Sequence, residues 1–102
     1  MATTYPVTVE GVGDFVFRRR TMRDQVRIEA ETGRILGGPC EDGELIQAAA
    51  AIATLAVLTA SAPDVFDVAE IDPLDRDQVK TLFSVFEGLR EAENSFRKGT
   101  RP

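Results

Sequence analysis

Along the chain, apolar and polar positions follow three different rhythms. Val7-Thr8-Val9-Glu10 alternates, and Asp14-Phe15-Val16-Phe17-Arg18 does so more loosely, with Gly11-Val12-Gly13 between them as turn chemistry. Alternation of period two around such a turn predicts a β-hairpin over residues 6–19, with Val7, Val9, Phe15 and Phe17 on one face. A two-stranded hairpin is marginal alone in water, so its apolar face needs a helix or a second chain beneath it. From Thr21 the rhythm lengthens: Met22, Val26 and Ala30 recur at i, i+4 and i+8. This predicts a helix over 22–35 with those three residues as its buried stripe. Thr21 is its N-cap, Asp24 stands in for the capping-box acid, and Gly37-Gly38-Pro39 ends it.

In Leu45–Ala60, LIQAAAAIATLAVLTA, periodicity disappears: no charge occurs and only Gln47, Thr54 and Thr59 are polar. A helix apolar all round cannot lie on the surface of a small protein. A buried helix is therefore predicted over 43–61, capped by Asp42 and stopped by Pro63. It is either the hub of a monomeric core or a seam for copies or partners, since alanine lets helix axes approach closely. Lipid is excluded by length: Leu45–Ser61 is 17 residues, roughly 25 Å at ~1.5 Å each against a ~30 Å hydrocarbon core. Residues 63–72 form an acidic connector that still carries Val65, Phe66, Val68 and Ile71. Asp72-Pro73 then supplies an N-cap and first helical residue for a helix over 73–98. Val79, Leu82, Phe83, Phe86, Leu89 and Phe96 are its apolar stripe, and Glu87/Arg90 and Glu93/Arg97 its outer ion pairs. Residues 99–102 read as a frayed tail. The fold class is mainly α (α+β): one domain over 1–102, an N-terminal hairpin and three helices around a central Ala-rich one.

Composition narrows the chemistry. Histidine is absent and Cys40 is the only cysteine, which removes Cys–His and Ser–His nucleophiles, the common zinc sites and any internal disulfide. No calcium-loop pattern occurs, so neither an enzyme nor a cofactor or metal is expected. The lone cysteine and an N-terminus without signal-peptide character point to the cytoplasm. Cys40 itself reads as incidental. The net charge of −5 opposes nucleic-acid binding. That charge is uneven: residues 1–38 carry six Arg against five acids, residues 39–102 six basic against twelve acidic side chains. Attraction between the halves, within a subunit or head to tail between copies, follows from this asymmetry.

Candidate contact residues are the basic cluster Arg18, Arg19, Arg20, Arg23 and Arg27, and the aromatics Phe66, Phe83, Phe86 and Phe96. The first suits an acidic surface such as the 63–77 segment of a neighbouring copy. Against these stand plainer readings, a solvated strand end and an ordinary aromatic core.

Three stretches also carry a resemblance. They are Phe15-Val16-Phe17-Arg18-Arg19 running into Thr21-Met22-Arg23-Asp24-Gln25-Val26-Arg27-Ile28-Glu29-Ala30-Glu31, then Leu36-Gly37-Gly38, then Glu91-Ala92-Glu93-Asn94-Ser95-Phe96-Arg97-Lys98-Gly99. In this order, with an Ala-rich helix between, they resemble the small tail assembly chaperones of long-tailed phages and prophages. A homo-oligomer is expected separately, from the charge asymmetry and the Ala-rich helix. The resemblance itself implies a non-enzymatic protein of the host cell cytoplasm, needed during tail assembly and absent from the finished particle. It would bind the tape measure protein, keep it soluble and help recruit tail tube subunits, and a longer frameshifted form is common in that family. Two other readings are a head–tail or tail-completion component retained in the virion, and a small dimeric regulator.

Overall fold

A computed structural model describes residues 4–64 and 66–99 of the chain. Two strands open it, β1 (Thr4–Val9) and β2 (Gly13–Arg18), followed by helices α1 (Met22–Leu36) and α2 (Gly43–Leu58). A short strand β3 (Thr59–Ser61), a single 3₁₀ turn at Val68–Glu70 and a long helix α3 (Arg76–Gly99) complete it. The architecture is α+β, a three-stranded antiparallel sheet in the order β1-β2-β3 with three helices. Among the described residues, no helix is long and apolar enough to cross a membrane.

The hairpin has the expected face. Val7 pairs with Phe15 and Tyr5 with Phe17, so the apolar side chains of both strands point inward while Thr4, Pro6 and Thr8 remain exposed. Phe15 and Phe17 are fully buried and stacked, ring centroids 5.6 Å apart, and Phe66 meets Phe15 edge-on at 5.3 Å. Such pairs add to simple area burial. Gly13 (φ 142°) is required by space as well as by backbone, because a Cβ there would lie 2.6 Å from the Pro63 ring.

α1 begins as read: Thr21 Oγ1 accepts from the Asp24 amide and Asp24 accepts from the Thr21 amide, each at 3.1 Å, a reciprocal capping box. The buried face differs from the predicted stripe. Met22 is 78% and Val26 63% exposed, and Ala30 is exposed too, whereas Asp24 and Ile28 are buried. Two residues of offset is a rotation of about 200° on a helix, so the helix presents the opposite side to the core. The cause is Asp24: its carboxylate is drawn inward by the cap and by Arg18, whose Nη2 donates to Asp24 Oδ1 at 3.2 Å.

α2 is shorter than predicted. It stops at Leu58, and residues 59–61 become a strand against β2, Val16 facing Ser61 and Phe17 facing Thr59 across an irregular register. α3 starts three residues later than Pro73. Asp75 caps it, accepting from the amides of Asp77 and Gln78 at 3.0 and 3.3 Å, while Asp72 caps a preceding turn at Leu74. Leu82, Val85 and Leu89 of α3 join Val9, Phe15, Phe17, Ile28, Ala51, Ala53, Leu55 and Leu58 in one core cluster. Gly88 lets α3 lie close on β1, since a Cβ there would be 3.1 Å from Val7. The frayed tail over 99–102 falls outside the described residues beyond Gly99, as do the Met1–Thr3 start and Val65 of the connector.

Candidate functional site

The arginine cluster divides into members held in the fold and members turned outward. Arg18, at the end of β2, reaches across to α2: its Nη2 donates to the Val57 carbonyl at 2.7 Å as well as to Asp24. The last turn of α2 contains no basic residue of its own, and Arg18 supplies the cation that a helix C-terminus favours. The Thr21 amide bond is the largest influence holding the Asp24 carboxyl below its ordinary value, with Arg18 assisting against the opposing effect of burial. Arg20 makes a two-pronged contact with Glu93 of α3, both distances 3.1 Å, and donates to Gln25 at 2.6 Å. Planar two-point contacts of this type fix geometry as well as charge. Glu93 is thereby joined to the other half of the chain, with both its oxygens on Arg20. Arg19, Arg23 and Arg27 are exposed.

The aromatics are also spread out. Phe66 is half-buried against Phe15, Phe83 and Phe86 are half-buried against the core, and Arg90 lies over the Phe86 ring at 5.7 Å. The Phe96 side chain lies outside the described residues. Among the described residues, no single surface therefore unites the other eight predicted contact residues.

Two concave sites stand out instead. The first is a cavity of about 500 Å³ where the open end of the hairpin meets the start of α1 and the last turns of α3. Four arginines line it, Arg19, Arg20, Arg90 and Arg97, against one carboxylate, Glu93, with Tyr5 alongside. Burial, reinforced by Glu93, pushes the Tyr5 phenol above its ordinary value, while Arg19, Arg20 and Arg97 pull it down. Tyr5 is thus a neutral hydrogen-bonding group amid cations. No family model, curated protein or solved structure matches the chain. The site's chemistry must accordingly be read from its residues alone.

The second site is an apolar groove of about 350 Å³ between the C-terminal end of α1, the first turns of α2 and the 71–73 segment. Ile35, Leu36, Leu45, Ile52, Ile71 and Leu82 are among its walls, and Cys40 sits at its edge. Leu45 is 55% exposed, and nearby Leu74 is 90% exposed. Apolar side chains left this open mark contact surfaces more often than chance exposure does when they cluster in a concavity.

Sequence reasoning missed Tyr5, Arg90 and Arg97 as members of a site. The signal was present on α3, where Phe86, Arg90, Glu93 and Arg97 fall at i, i+4, i+7 and i+11 on one face. What no local pattern announces is that the N-terminal Tyr5 and Arg20 meet that face. Among the described residues, no group of three or more His, Cys, Asp or Glu is placed to hold a metal ion.

Proposed function

We propose that this chain is a non-enzymatic assembly chaperone that works by holding an apolar segment of a larger partner. The observation that carries the reading is the α1/α2 groove, with Leu45 left open on a helix whose composition calls for burial. Each leucine-sized side chain left in water forgoes about 1.5–3 kcal/mol relative to full burial, and that free energy is available to a client. A groove flanked by helices suits an amphipathic helix laid along it, with anchors at helical spacing. The resemblance to phage tail assembly chaperones makes the tape measure protein the client and tail tube subunits the cargo it helps to recruit. The cytoplasm of the host cell is where such assembly takes place.

Co-expression with candidate tail proteins tests this. The chain is expected to co-purify with the tape measure protein, and Leu45→Asp or Ile35→Asp is expected to abolish recovery while leaving the circular dichroism spectrum unchanged. Undiminished recovery with both variants would remove the groove from the function, and failure to retain any tail protein would remove the chaperone reading.

A further inference from the structure

The stripe that α1 turns outward has no cover in the fold. On a helix of ~3.6 residues per turn, Met22, Val26, Ala30 and Gly33 lie within about 80° of one another, and all four are exposed. Arg23, Arg27 and Arg34 form a second exposed row along one flank of the stripe, within about 40° of each other. Arg34 is held by Glu31 of its own helix, its Nε donating at 2.9 Å. Among the described residues, Arg23 and Arg27 have no carboxylate within ion-pair distance. The other flank is occupied, since Gln25 donates to Glu29 at 3.0 Å and accepts from Arg20. Gly33 is a separate observation. Glycine is a poorer helix former than alanine, yet a Cβ at Gly33 would meet nothing within 4 Å. Nothing inside the fold calls for a glycine there. A second helix lying close along the stripe does, because the missing side chain leaves a hole for a partner's knob.

We propose that this face of α1 docks an acidic amphipathic helix of another protein. Apolar side chains of that helix would cover Met22, Val26 and the hollow at Gly33, and its carboxylates would meet Arg23 and Arg27. Charge and shape select this occupant. A narrow stripe is the seam of a helix pair, whereas a bilayer surface takes a broad apolar face rich in aromatic or leucine side chains. Met22 and Val26 are the only large apolar residues of the stripe, and the net charge of −5 opposes approach to an anionic membrane. A second copy fits poorly. Antiparallel pairing of α1 with α1 sets Arg23 and Arg27 against an identical arginine flank, and parallel pairing offers them one carboxylate, Glu29, already held by Gln25. The stripe includes none of the walls of the α1/α2 groove, so this contact stands whether or not the groove has a client.

Fluorescence anisotropy on the full chain tests it with a labelled peptide of ~21 residues, long enough to form a helix, carrying Leu along one seam and Glu on its flanks. The controls are the same peptide with Lys in place of Glu, and vesicles of equal parts phosphatidylcholine and phosphatidylglycerol. The acidic peptide is expected to bind, more weakly at ~0.5 M salt where charges are screened, and the basic peptide and the vesicles are not. Val26→Asp, and separately Arg23→Glu with Arg27→Glu, are each expected to weaken binding at least ~10-fold. Gly33→Leu fills the hollow: it is expected to raise the urea midpoint of the free chain and still weaken the peptide, so a loss of binding there cannot be a loss of folding. Leu45→Asp, in the groove, should leave the affinity unchanged. Equal binding of the two peptides, no binding of the acidic one, or loss of binding in Leu45→Asp but not in Val26→Asp would overturn the proposal. So would capture of the vesicles in place of the peptide, or sedimentation showing copies that associate through this face and separate on Val26→Asp.

Discussion

Residues 45–50 and 51–58 of α2 are both uncharged and alanine-rich, yet they meet different surroundings. The first stretch leaves Leu45 and Ile46 in contact with water and fully buries only Ala49. The second buries Ala51, Ala53, Leu55 and Leu58 completely and shares the core cluster with Phe15, Phe17, Val85 and Leu89. Thr54, the one polar residue at its centre, is satisfied by donating to the Ala50 carbonyl at 2.7 Å. Hydropathy thus states what a segment would gain by burial, and the volume of its neighbours decides whether it is buried. In the second half, alanines allow close approach and large side chains from the sheet and α3 fill the space. In the first, α1 and the 71–73 segment leave a groove.

Removing a side chain from each half should separate them most widely. Leu58→Ala is expected to cost about 2–5 kcal/mol, as emptied core sites do, whereas Leu45→Ala should stay within about 0.5 kcal/mol. Urea unfolding followed by circular dichroism measures both. Equal losses would mean that the groove is closed in solution and that the contrast between the halves is unreal. Adding volume probes the same difference from the other side. Ala53→Leu should cost about 1–3 kcal/mol through overpacking, while Ala48→Leu, beside the groove, should be close to neutral. If Ala53→Leu were tolerated as well as Ala48→Leu, the close packing of the second half would be disproved.

How much of this was legible follows from how local each cause is. The apolar face of the hairpin and the Thr21/Asp24 capping box depend on residues within a few positions of each other, and both are as the alternation and the cap pattern predict. The α1 stripe was misread because a regular i, i+4 series of Met22, Val26 and Ala30 is a genuine apolar stripe that the fold leaves outward. Its opposite face won because of Asp24 and Arg18, a contact that hydropathy scores as two polar residues. β3 was invisible since Thr59-Ala60-Ser61 has no alternation and gains its ladder from β2, some forty positions earlier. At the start of α3, Asp72 and Asp75 both offer capping oxygens, and the sequence does not rank them. The cationic cavity depends on Arg20 meeting Glu93, 73 positions apart, beyond the reach of any spacing rule.

Arg18 ties the closed half of α2 to the rest, so its removal sharpens the comparison. Arg18→Met keeps much of the stem but leaves the Val57 carbonyl and Asp24 without their charged donor. About 1–3 kcal/mol should be lost, the cost of stranding hydrogen-bonding groups. Amide hydrogen exchange should quicken at residues 55–61 and remain unchanged at 45–50. A uniform change along α2 would show that Arg18 does not act through that end.

The smallest effect expected is a dependence on pH, and its sign can be worked out from Asp24. The Thr21 amide above all, and then Arg18, hold its carboxyl below the ordinary value in the folded chain. A carboxyl whose folded pKa is depressed contributes stability that is fully present above its unfolded value, about 3.9, and is lost as the pH falls through the folded value. Glu31, lowered chiefly by its hydrogen bond from Arg34, acts in the same direction from the exposed side of α1. Stability measured by urea unfolding should therefore be level near neutrality and decline once the pH falls below about 4. Asp24→Asn keeps the size of the side chain and much of its capping ability but removes the titrating charge, so its decline in acid should be shallower than that of the parent. Thr21→Ala, which removes the hydroxyl that accepts from the Asp24 amide, should cost about 0.5–2 kcal/mol at neutral pH while preserving the direction of the acid dependence, because the Thr21 amide still donates to the carboxylate. If Asp24→Asn lost stability in acid as steeply as the parent, the carboxylate would not be the group that turns α1 inward, and the packing of Ile28 alone would have to account for which face covers α2.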